Sequence, residues 1–179
     1  MRIDNFKERA GRFSTGFTLV ELMVTIGIIA LLLAVSAPLL ESFRAKARKA
    51  KCISHLRTIH SGLLGYTTDK GHWPQMEEDR FDFDENEFFE FWVTVTEPYG
   101  VSRDTWVCPS DKKLEYLPKR ERDKYIGSYV TTRFDDKAQT PFRWNQPWVM
   151  ERGNFHGKGS HMLLPDGSVH DTSNPFYGR

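Results

Sequence analysis

The chain has 179 residues, of which 39% are hydrophobic and 27% charged, with a formal net charge of +1 and two cysteines. This is the composition of one globular domain with or without an appendage. It excludes a wholly disordered chain, a nucleic-acid protein held by bulk charge, a disulfide scaffold and a four-thiolate zinc site.

Residues 1–16 form a polar leader with four basic residues, Arg2, Lys7, Arg9 and Arg12. Phe17 to Leu40 follow, twenty-four residues that carry one charge, Glu21. As a helix this run spans ~36 Å, against the ~30 Å of a bilayer core. A second apolar run of that length does not follow, so the pattern predicts a single span with a polar remainder on one side. A secretory signal peptide is one reading, with Val35-Ser36-Ala37 as an approximate cleavage site, but Pro38 stands directly after it. A plain signal anchor is another. The third turns on the residues at the start of the run.

Those residues read RFSTG-FTLVE, Arg12 to Glu21: a basic leader ending in Gly16, then Phe17, then an apolar run with a lone glutamate. The combination, with Pro38 in the second half of the span, resembles the prepilin-type cleavage and methylation signal of type IV pilins and type II secretion pseudopilins. The resemblance implies cleavage by a prepilin peptidase between Gly16 and Phe17, N-methylation of Phe17, and a role for Glu21 in assembly. An intramembrane carboxylate is costly and is usually there for a partner, and Glu21 lies one helical turn from the amine that cleavage would create. The bland alternative is a glutamate that reaches the headgroups. A positive-inside count favours a cytoplasmic C-terminal side, because residues 41–57 hold six basic residues against four in the leader. The resemblance implies the reverse: N-terminus cytoplasmic before cleavage, a single pass through the inner (cytoplasmic) membrane, and a periplasmic or extracellular head.

Beyond the span, Phe43, Ala47, Ala50, Ile53, Leu56, Ile59, Leu63 and Leu64 recur at three- and four-residue steps and predict an amphipathic continuation of the helix. It is expected to end near Tyr66, closed by Gly71 and Pro74, with a kink at Pro38. Glu77 to Glu97 carries nine acidic residues interleaved with aromatics, read as solvated loop with a short helix at EFFEFW and a strand at WVTVT ended by Pro98. It lacks the ligand spacing of an EF-hand. Trp106 to Asp111 is expected to be a short strand into a turn, Lys112 to Lys124 a charged surface stretch, Ile126 to Thr132 a strand and Asp135 to Pro147 a loop. Ser160 to Asp171 reads as a β-hairpin about Pro165-Asp166-Gly167. The expected domains are a leader (1–16), a transmembrane helix (17–40), its periplasmic extension (41–70) and a globular head (71–179). The expected fold class is α+β and pilin-like: a long N-terminal helix followed by a small antiparallel β-sheet head.

His156, nine intervening residues and Asp166-Gly167 resemble a C-terminal motif, His-X9-Asp-Gly, found on a subset of prepilin-signal proteins. Cys52, the stretch Tyr66, Asp69, Gly71, Trp73, Pro74, and the element Cys108-Pro109-Ser110-Asp111 resemble further anchors of that subset. His156 and Asp166 are expected to tie the base of the hairpin to its turn, with Gly167 at positive φ. A His–Asp acid/base pair and a metal site of His156, His161 and His170 are the competing readings, the last weakened because His161 and His170 read as exposed. Cysteines of an exported segment tend to pair, so Cys52 and Cys108 are disulfide candidates, with two reduced thiols as the alternative. A nucleophile elbow is not apparent, and neither catalysis nor a metal or other cofactor is expected.

The resemblance thus implies a structural subunit, a pseudopilin or minor pilin. Its partners would be itself and other pseudopilins through the N-terminal helix, the prepilin peptidase, an inner-membrane assembly platform and the membrane, with no nucleic acid. A membrane-anchored module with a carbohydrate-facing aromatic surface is the alternative, suggested by five Trp, six Tyr and thirteen Phe.

Overall fold

The computed structural model describes residues 16–76, 85–113, 127–143, 145–157 and 159–172, apart from the side chains of Ala37 and Pro38. The chain divides into two units, Met1–Ser42 and Phe43–Arg179. The leader up to residue 15, the acidic stretch 77–84 and most of the predicted charged stretch Lys112–Lys124 lie outside the described residues.

In the first unit, helix α1 (Leu19–Lys70) begins at the apolar run. Its large side chains, among them Leu22, Ile26, Ile29, Leu33 and Leu40, are all more than half exposed. A helix that is apolar on every face cannot be satisfied by water. This one is long and apolar enough to cross a membrane. It is helical without interruption through position 38, while the kink expected there concerns a proline side chain outside those described.

In the second unit the architecture is α+β, as the element pattern predicts. Cys52, Leu56, Ile59 and Leu63 of α1 are fully buried, a stripe at four-, three- and four-residue steps. The predicted stripe is corrected at its ends: Phe43, Ala47, Ala50 and Leu64 are exposed, because the buried face is phased on Cys52. The helix runs to Lys70, beyond Tyr66, and stops where Gly71 takes φ +76° and its N–H bonds the Thr67 carbonyl at 2.9 Å.

Helix α2 (Glu85–Thr96) contains EFFEFW as expected, but WVTVT continues it rather than forming a strand. Phe89, Trp92, Val93 and Thr96 lie one helical face apart and are all buried, so core packing overrides the β-propensity of Val and Thr. A 3-10 turn, Glu97–Tyr99, follows, and Gly100 at φ +86° ends it. A second 3-10 turn, Arg103–Trp106, replaces the strand expected at Trp106. The loop expected over 135–147 contains a short helix, α3 (Thr140–Arg143).

Four three-residue strands form an antiparallel meander in the order β1-β2-β3-β4. They are β1 (Tyr129–Thr131), β2 (Val149–Glu151), β3 (His161–Leu163) and β4 (Val169–Asp171). β1 falls in the predicted strand and β3–β4 are the predicted hairpin, whereas β2 was not anticipated. Registers are Tyr129↔Glu151, Val149↔Leu163 and His161↔Asp171. The core is aromatic: Trp73 packs at 5.0 Å on both Trp148 and Phe134, and at 6.0 Å on Trp92.

Gly127 couples backbone to core. It has φ +71°, and a β-carbon there would collide with the Phe89 ring. Gly127→Ala is expected to lower stability by about 2–4 kcal/mol, the left-handed penalty plus overpacking. Gly100→Ala, also at positive φ but facing open space, carries only the first, about 1–2 kcal/mol. Denaturant titration of both variants in detergent checks the difference.

Candidate functional site

The first candidate lies at the start of α1. Glu21 Oε2 accepts hydrogen bonds from the Thr18 backbone N–H at 2.9 Å and from its hydroxyl at 2.7 Å. The Glu21 N–H donates back to Thr18 Oγ1 at 3.2 Å. This is a reciprocal capping box, Thr18 at the N-cap and Glu21 at the third helical position. It satisfies orphan N–H groups at an apolar helix end, where they are otherwise costly. The spacing Thr-x-x-Glu was a readable signal for it. Gly16 and Phe17 stand just before the cap, both exposed, in non-helical backbone.

The second candidate lies in the head. Cys52 of α1 and Cys108 are joined in a disulfide, with Cα atoms 5.1 Å apart. Cys108 is positioned by the Cys-Pro-Ser-Asp turn. Its N–H donates to Ser128 Oγ at 2.9 Å, the Ser128 hydroxyl donates to Asp111 Oδ2 at 2.9 Å, and the Asp111 N–H closes the turn on the Cys108 carbonyl at 2.9 Å. His55, one turn beyond Cys52 on α1, lies 3.0 Å from the Val107 carbonyl.

Beside the disulfide is a buried polar cluster. Glu151 ends β2, and its side chain is fully buried. One carboxylate oxygen accepts the His161 backbone N–H at 2.8 Å. The other lies 3.2 Å from His156 Nε2 and 3.0 Å from His161 Nδ1. His156 Nε2 is also 3.5 Å from Cys108 Sγ, and the two imidazole centroids are 4.7 Å apart. His161 is 2% exposed, and among the described residues neither of its ring nitrogens has an aligned hydrogen-bond partner despite the short Nδ1 contact. Among the described residues, Cys52, Cys108, Glu151 and His156 bring their donor atoms within 4.8 Å of one another.

This arrangement corrects the expected hairpin tie. His156 serves the Glu151 cluster, while Asp166 accepts from the Ser168 N–H and hydroxyl at 2.8 and 2.6 Å within the turn. Gly167 does take positive φ, +78°, but the group that fastens the turn to α1 is His60, whose Nε2 lies 2.9 Å from the Pro165 carbonyl. His161 is buried, not exposed. His170 is exposed and 2.9 Å from the Ser168 hydroxyl, so of the three imidazoles only His156 and His161 converge. Glu151 was missed because β2 was missed; with the strand recognised, its inward position two residues after Val149 follows from the strand period.

Burial holds the His156 imidazole below the ordinary histidine value of 6.5, outweighing the opposing charge of Glu151. Both groups facing Nε2 are acceptors, a carboxylate and a sulfur, so this nitrogen carries the ring proton.

Comparison with known proteins bears on the N-terminus. Residues 12–37 match the family model of the prokaryotic N-terminal methylation motif. The chain is 35% identical over 60 residues to the type IV major pilin protein PilE1 of Neisseria gonorrhoeae, covering 34% of this chain and 36% of the relative. It is 31% identical over 73 residues to the type IV major pilin protein PilA of Myxococcus xanthus, covering 41% of this chain and 31% of the relative. A fimbrial protein of Neisseria meningitidis is 36% identical over 59 residues, 33% of this chain and 35% of the relative. The match therefore spans about a third of the curated relatives' length. No solved structure matches the chain. The chain carries a prepilin-type signal, and the signal together with the one apolar helix of membrane-spanning length among the described residues marks a membrane-anchored, single-pass protein.

Two predictions follow from the head. Cys108→Ser opens a loop of 56 residues' separation and should cost about 4 kcal/mol in denaturant titration under non-reducing conditions. Because the folded pKa of His156 is depressed, the unfolded chain binds its proton first as pH falls. The stability this contributes is complete above about pH 6.5 and is lost as pH falls toward the folded value. Melting temperature measured from pH 8 to 5 should decline below that point, and His156→Gln should flatten the decline.

Proposed function

We propose that the chain is a structural subunit of a pilin-like filament, a pseudopilin or minor pilin, rather than an enzyme. A prepilin peptidase cuts between Gly16 and Phe17 and methylates the new N-terminus on Phe17. The head then lies outside the inner membrane, and subunits assemble with one another through the N-terminal helix on an assembly platform. The observation that carries this reading is the methylation motif over residues 12–37, set on an apolar helix long enough to span a bilayer. Similarity over a third or more of the chain to type IV major pilins supports it.

Glu21 has two separable roles in this reading. Its side chain closes the cap with Thr18, which glutamine also does. Its charge pairs with the Phe17 amine of a neighbouring subunit, where water does not screen the attraction. Among the described residues, Trp73, Trp92, Trp106 and Trp148 fill the core instead of lining a face, which weighs against the carbohydrate-binding alternative.

Intact mass and N-terminal sequencing of the membrane form test the processing. The expected mature N-terminus is N-methylated Phe17, and Gly16→Trp should accumulate the uncleaved chain. A mature form that begins at Met1 or Pro38 refutes the reading. Glu21→Gln should be cleaved and inserted, yet should reduce crosslinking between neighbouring subunits in cells by at least tenfold. Normal assembly of Glu21→Gln would leave the capping box as the residue's whole role.

A further inference from the structure

The buried cluster in the head has more donor capacity than the disulfide explains. A carboxylate and two imidazoles are removed from water beside two sulfurs, and among the described residues His161 has no aligned hydrogen-bond partner. Its Nδ1 is nonetheless 3.0 Å from Glu151 Oε1. A hydrogen bond needs N–H to point along that line.

The geometry points to a site for one zinc-type divalent cation, held by Cys52, Cys108, His156 and Glu151 when the disulfide is reduced. A tetrahedral zinc centre with bonds of roughly 2.3 Å to sulfur and 2.0–2.2 Å to nitrogen and oxygen requires N···S edges of about 3.5 Å and N···O edges of about 3.4 Å. The edges present are 3.5 Å from His156 Nε2 to Cys108 Sγ and 3.2 Å from the same nitrogen to Glu151 Oε1. All four donors already lie within 4.8 Å of one another. Two thiolates and an imidazole select zinc over magnesium or calcium, which prefer oxygen. His161 Nδ1 stands 3.0 Å from the ligating carboxylate oxygen without an aligned hydrogen bond to it.

The chemistry balances as follows. A dithiol reductant breaks the Cys52–Cys108 bond, supplies two electrons and two protons, and leaves as its own disulfide. The cation displaces both thiol protons to solvent, while the His156 proton moves from Nε2 to Nδ1. The donors come from α1, the turn after the second 3-10 helix, β2 and the loop behind it. The same segments are thus pinned by a covalent bond in the oxidised form and by the cation in the reduced form.

The full chain in detergent micelles is reduced with dithiothreitol, freed of it without air, and titrated with Co2+ and then Zn2+. The expected result is one Co2+ per chain, with thiolate-to-cobalt charge-transfer bands and the intense visible absorption of a tetrahedral centre, displaced by one Zn2+. Cys52→Ser with Cys108→Ser should abolish it. His156→Ala and Glu151→Gln should weaken binding at least tenfold. No stoichiometric Co2+ in reduced wild type that keeps its native circular dichroism would overturn the proposal, as would equal binding in His156→Ala, the sign of thiols acting alone. Should that variant not fold, imidazole nitrogen resonances of the reduced wild type decide: His156 Nε2 must shift on Zn2+ addition, and an unmoved resonance overturns the site.

Discussion

The link between Cys52 and Cys108 is the constraint on which the head depends. Four strands of three residues provide only a few ladder hydrogen bonds, too few for a sheet to persist alone. The sheet must be held by what packs on it, and that is the buried stripe of α1. The link fastens the stripe to the turn leading toward β1, and the rest follows in order. Ser128 and Asp111 fix the turn that presents Cys108, Trp106 accepts the Ser128 N–H on its carbonyl at 2.8 Å, and β1 starts one residue later. His60 and Lys49 of α1 then reach the far hairpin, at Pro165 and Asp171.

Around this link the core divides into two chemistries. One side is a cluster of indole and phenyl rings, Trp73, Trp92, Trp148 and Phe134, which supplies large apolar area at low side-chain entropy. The other is the polar knot of Glu151, His156 and His161. Burying a carboxylate costs several kcal/mol unless hydrogen bonds and charge offset it. Here the offset is partial: one oxygen has the His161 backbone N–H, and the other faces two imidazoles. Oil-like packing alone would favour an apolar residue at 151.

At the other end of α1 a polar problem is solved in the opposite way. An apolar helix exposes unsatisfied N–H groups at its first turn, and Thr18 and Glu21 satisfy two of them from within the matched methylation motif. Cleavage before Phe17 would leave the cap intact, since it uses nothing upstream of Thr18. The glutamate can therefore hold the helix end together and still present a charge to a neighbour.

The local features were legible in the sequence because they rest on local physics. The apolar helix and the Pro165-Asp166-Gly167 hairpin depend on residues a few positions apart, and each is where the pattern placed it. What failed depended on partners far along the chain. WVTVT has strand propensity but is helical, because Trp92, Val93 and Thr96 complete a buried face with Phe89. β2 was invisible because three residues acquire strand character only between two neighbours. The motif pair His156 and Asp166, regular in spacing, proved to serve different ends of the head. His156 belongs instead with Glu151 and Cys108, 5 and 48 residues away, which only the folded chain brings within reach. Spacing along the chain determines a span, a cap and a turn. Which buried donors converge on one point is decided by the packing of α1 against the sheet, and linear order does not encode that distance.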